Sequence, residues 1–154
     1  MVWALFCLAL AHEGRVPSRT FVPIPQRHYY AVQALFVTPL LLLQWLVCSA
    51  ISTTVARALG GSARFRETAN KLGLALALPL LVLFLLPDVV VYALWGFPAL
   101  GKLVRVTAPL SFAVTMSAVT ASLQTLHGLS WARAFSAAAL GVLAQTLLGA
   151  PLLR

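Results

Sequence analysis

The sequence predicts an all-α integral membrane protein: a bundle of four full transmembrane helices plus a short N-terminal apolar helix, read as the clipped first span of a five-helix bundle. Three observations carry this. Hydrophobic residues make up 61% of the 154 and charged residues only 9%, whereas about a quarter of a soluble domain is charged; there are too few polar side chains to cover a core. The apolar residues form long blocks, not a stripe or an alternation, and four blocks are long enough to cross roughly 30 Å of hydrocarbon. The 11 Lys and Arg against 3 Asp and Glu, a formal charge of +8, sit at the block ends, where cations meet headgroups and set topology. No aromatic-interleaved basic patch accompanies them, so nucleic acid is not an expected partner.

The elements follow in order within a single membrane domain, 1–154. Residues 2–11 (VWALFCLALA) are apolar but at 1.5 Å each cross only about half of the bilayer core. An interfacial helix and a signal peptide are the other readings of this stretch, the latter lacking a basic start. Residues 12–28 carry Pro17, Pro23 and Pro25, which forbid a regular helix and predict a polar linker. The first full span is 30–57, with Tyr29 and Tyr30 as an aromatic belt, Pro39 as a kink and Gln44 at mid-depth facing another helix. The second is 71–97, with a break near Pro87. The third, 105–127, places Ala113, Ser117 and Ala121 on one face at a spacing of four, and the fourth, 131–151, repeats the small residues with Ala137 and Gly141. Small side chains let a neighbouring backbone approach, so these two helices are expected to pack tightly, on each other or on a partner or second copy.

The polar residues raise two further expectations. Between the first and second spans, Gly60-Gly61 follows a helix end, where glycine adopts a left-handed turn without strain. Ser62 is then placed to cap a short interfacial turn in which Phe65 dips toward acyl chains and Arg64, Arg66 and Lys71 reach phosphates. Asp88 has two readings. Seventeen residues from Lys71 rise about 25 Å, which puts Pro87 at the membrane exit and Asp88 in the headgroup layer near Lys102 and Arg105; the second reading is a buried acid that relays protons or binds an ion.

Catalytic and metal-binding patterns are missing from the sequence. Glu13, Glu67 and Asp88 are scattered, and His12, His28 and His127 have no metal-like spacing. Cys7 and Cys48 lie singly in apolar runs and read as buried thiols. No P-loop, Rossmann fingerprint or serine elbow is present. His127 precedes Gly128 at a helix end, suited to the helix dipole. The expectation is a protein that is not an enzyme and needs no cofactor.

The segment ARALGGSARFRETANKLGLALALP, residues 56–79, with Gly60, Gly61, Phe65, Arg66 and Thr68, resembles the loop and proline-bearing helix of the Yip (Ypt-interacting protein) family of polytopic membrane proteins. LQTLHGLSWARA, 123–134, resembles the loop before the last helix of bacterial members. With the helix spacing, the likeness covers roughly residues 30–150. It implies a five-helix bundle with a cytoplasmic N-terminal region and a cytoplasmic 57–71 loop, and the compact loops suit a bacterial cytoplasmic membrane. The long polar N-terminal region of eukaryotic members, which bind Rab GTPases, has no counterpart here. Charge alone leaves topology open: Arg57, Arg64, Arg66, Lys71 and Arg133 oppose Arg15, Arg19, Arg27, Lys102, Arg105 and Arg154. The functional expectation is a membrane-organising or partner-assembling protein, in contact with anionic headgroups through its basic loops. The alternative is a small transporter or channel subunit, its path lined by Gln44, Thr53, Thr54, Ser111, Thr115 and Gln124.

Overall fold

The computed structural model describes residues 2–17 and 25–149. The described residues are helical almost throughout and contain no strand. Six helices follow one another: α1 (Val2–His12), α2 (Tyr29–Ala58), α3 (Phe65–Pro79), α4 (Leu86–Trp95), α5 (Phe97–His127) and α6 (Trp131–Gly149). A 3₁₀ turn, Gln26–His28, leads into α2, and a π-helical stretch, Leu80–Leu85, joins α3 to α4. Four helical runs are long and apolar enough to cross a membrane: Gln26–Ala58, Phe65–Trp95, Phe97–His127 and Trp131–Gly149. The chain is thus an all-α integral membrane protein, with four spans and a short apolar helix before them among the described residues. Linker residues 18–24 and the end of the expected fourth span, 150–151, lie outside the described residues.

Two compact units make up the chain. The first holds the described residues up to 44 together with 146–149. In it the Cys7 thiol reaches Gln33 Oε1 at 3.5 Å, joining α1 to the start of α2. Tyr29 and Tyr30 are buried here and meet edge to face, their centroids 5.5 Å apart. They do not form the expected aromatic belt, because this packing takes up their rings.

The second unit, 45–145, contains the principal core. Leu72 and Ala75 of α3, Met116, Val119 and Leu123 of α5, and Ala134, Ala137, Ala138 and Val142 of α6 pack with Cys48 and Ala56 of α2. The α3–α4 rod runs along α5. Trp45 Nε1 donates to the Ala69 carbonyl at 2.8 Å and pins α2 to α3.

The second span differs from expectation at its start and at Pro87, while its end at Trp95 lies within two residues of the expected 97. It begins at Phe65, six residues before the predicted 71, because the interfacial turn is continuous with the membrane helix. Its N-cap is Arg64, not Ser62; Glu67 turns back to accept the Arg64 backbone N–H at 3.1 Å, satisfying a donor that a helix start leaves orphaned. Nor does the chain break at Pro87. Leu86 N–H bonds back five residues to Leu81, and this wider turn accommodates a ring that cannot donate and would crowd an α-helical turn. The helix ends instead at Gly96, whose φ of 75° turns the chain in a single residue. Accordingly α5 begins at Phe97, eight residues before the predicted 105, with Pro98 in its first turn, where a missing N–H costs nothing.

The small-residue expectation divides. Ala137 and Gly141 are buried, and α6 uses them to approach α2: a Cβ on Gly141 would collide with Ser52 Oγ and lie 2.9 Å from the Cys48 carbonyl. Ser52 Oγ also donates to the Ala137 carbonyl at 3.4 Å. Ala113, Ser117 and Ala121, however, face outward. As a packing face within the chain this assignment is corrected: the face of α5 that meets the core carries Met116, Val119 and Leu123 instead.

Candidate functional site: the junction of two loops

The quoted loop begins with a helix terminator. Gly60, at φ 97°, follows α2; its N–H bonds to the Arg57 carbonyl at 3.1 Å, and Gly61 N–H to Ala56 at 2.8 Å. The paired bonds form a Schellman ending, which satisfies two carbonyls that a helix end leaves open. The first glycine supplies the left-handed turn. The second answers to a different constraint: a Cβ on Gly61 would stand 2.6 Å from His127 Nδ1 and 2.8 Å from the Ala56 carbonyl. His127 therefore packs directly on the Gly61 backbone.

His127 is 3% exposed. Its Nε2 lies 3.0 Å from Thr68 Oγ1. The Thr68 hydroxyl donates to the Arg64 carbonyl at 3.2 Å, so its oxygen is left to accept from Nε2–H. That assignment leaves Nδ1 as a bare acceptor, buried against Gly61 and without a partner among the described residues. Gly128, at φ 65°, ends α5 just beyond it. From the start of α6, Arg133 Nη1 donates to the Leu59 carbonyl at 3.4 Å, and Trp131 stacks on Phe135 with centroids 5.1 Å apart. Gly60, Gly61, Thr68 and His127 thus form one junction between the loops that follow α2 and α5.

The other candidate residues lie apart from it. Phe65 and Arg66 are exposed. Gln44 is buried on α2. Asp88 is 4% exposed on α4, whose helix continues past it to Trp95, so the side chain is covered by the protein, as the buried-acid reading expects. Lys102 and Arg105 are exposed on α5. Of the hydroxyls expected along a transport path, Thr53 and Thr54 donate to carbonyls of their own helix, at Ser49 and Ala50. Ser111 and Thr115 are buried, while Gln124 is exposed. Among the described residues, no three His, Cys, Asp or Glu side chains gather to hold a metal.

One feature escaped the sequence reading. Ala50, Thr53, Thr54 and Arg57 of α2 and Phe65 of α3 line an open recess of about 380 Å³. The spacing 50, 54, 57 on one helical face is its signal in the sequence.

No family model, curated protein or solved structure matches the chain.

Proposed function

We propose that this chain is a non-enzymatic membrane protein of the Yip type, resident in a bacterial cytoplasmic membrane, that assembles with a partner or a second copy in the bilayer. The observation supporting this reading is the loop junction. The two segments that carry the family likeness are held together by Thr68 and His127, and they present Arg57, Arg64, Arg66 and Arg133 at one end of the second unit. In this reading the polar side chains of the junction, Thr68 and His127, serve to fix two loops. The outward face of α5, with Ala113, Ser117 and Ala121, suits close approach by another helix.

A photo-crosslinking residue at Ser117, compared with one at Leu94, tests the assembly. A discrete protein adduct from Ser117 in native membranes, and none from Leu94, is expected; lipid adducts alone from both positions would refute it. Reporter fusions at Ser62 and Gln26 test the orientation, with cytoplasmic activity expected at Ser62.

A further inference from the structure

We propose that the recess between the C-terminal end of α2 and the start of α3 is a binding site for one anionic membrane phospholipid, its phosphate seated on Arg57. This stands on the membrane-spanning fold and is independent of the assembly role proposed above.

The lining residues follow the polarity of a lipid. Leu46, Ala50, Thr54 and Arg57 are exposed along a single face of α2, at intervals of four, four and three. From Leu46 to Arg57 the helix rises about 16 Å and passes from hydrocarbon to hydroxyl to cation. Arg57 is in the last turn of α2, where a long cationic side chain extends to the phosphate level. Phe65, half exposed at the start of α3, lines the recess together with Ala50, Thr53, Thr54 and Arg57.

Charge selects the class of lipid. Among the described residues no hydrogen bond or ion pair engages the Arg57 guanidinium. The nearest acid in sequence, Glu67, is already turned onto the Arg64 backbone. Arg64 and Arg66 add positive charge at the same helix start. The recess opens on the same surface as Leu46, which is apolar and faces outward, so its occupant must carry acyl chains as well as an anion. A soluble phosphate would leave that surface unmatched.

The test is native mass spectrometry of the detergent-purified full chain with phosphatidylglycerol or phosphatidylcholine added. Wild type is expected to retain one phosphatidylglycerol in preference to phosphatidylcholine. Arg57→Gln should weaken retention about fivefold, the scale of one cation at a membrane surface. Ala50→Phe, which fills the recess and keeps every charge, should weaken it to a similar degree; it decides the matter if Arg57→Gln does not fold. Lys71→Gln, the same charge change outside the recess, should bind as wild type. Millimolar inorganic phosphate should not displace the lipid. Equal losses for Lys71→Gln and Arg57→Gln, wild-type binding by Ala50→Phe, no preference over phosphatidylcholine, or displacement by phosphate would each overturn the proposal.

Discussion

Thr68 Oγ1 and His127 Nε2, fifty-nine positions apart in the chain, lie 3.0 Å from one another inside the second unit. Both groups are buried, and this contact joins the loop after α2 to the loop after α5. Removing the Thr68 hydroxyl takes away the partner of His127 Nε2, whereas Thr68 keeps its bond to the Arg64 carbonyl when His127 is removed. Thr68→Val is therefore expected to cost about 1–3 kcal/mol of stability. His127→Leu should be costly too, and the double variant should cost less than the sum by about 0.5–3 kcal/mol. Detergent-unfolding midpoints followed by circular dichroism supply the cycle; strictly additive losses would mean that the contact is not made.

The two adjacent glycines should fail for different reasons. Gly60→Ala suffers from its left-handed backbone, at about 1–2 kcal/mol, although nothing stands within 4 Å of the added methyl. Gly61→Ala suffers from crowding against His127 and Ala56, at about 1–3 kcal/mol. Combined with His127→Ala, the Gly61 penalty should shrink and the Gly60 penalty should not. If both respond alike in unfolding measurements, the assignment of strain to one and crowding to the other is wrong.

Leucine at two small-residue positions should separate the chain's own packing from its outward face. Gly141→Leu drives side-chain atoms into Ser52 and Cys48 and is expected to cost at least about 3 kcal/mol. Ser117→Leu points away from the core and should change the stability of a detergent-purified monomer by no more than about 0.5 kcal/mol. A matching loss at Ser117 would place that face in the chain's own core.

Asp88 should resist labelling. With Cys7 and Cys48 replaced, Asp88→Cys in intact vesicles is expected to react with a membrane-impermeant maleimide only after denaturation, since the side chain at 88 is covered. Ready labelling from either side would mean that the side chain at 88 is open to water, as a headgroup position would make it.

How far the fold could be read depended on the type of signal. Hydropathy places the spans because hydrocarbon thickness leaves little freedom in length, and 30–57 agrees with α2 to one residue at each end. The boundaries failed where proline and charge were taken as breaks. Pro87 is absorbed by a π turn set by hydrogen bonding five residues back, and Lys102 lies within α5, not in a loop. Of the candidate site, the Gly60 turn was legible because it is local. The role of Gly61 was not, since it depends on an imidazole sixty-six positions away in the chain. Periodicity marked Ala113, Ser117 and Ala121 as a stripe, but a stripe does not say which side of a helix the rest of the chain occupies.

Gly96 carries a consequence for biogenesis. It alone separates two helical runs of 31 residues each, Phe65–Trp95 and Phe97–His127, and at about 1.5 Å per residue each is longer than the hydrocarbon is thick. With no slack between them, the two helices must enter the bilayer as one hairpin. Lys102 and Arg105, within the first three turns of the second helix, then travel with the tip, so a charge change at either position is felt at the moment of insertion as well as in the finished fold.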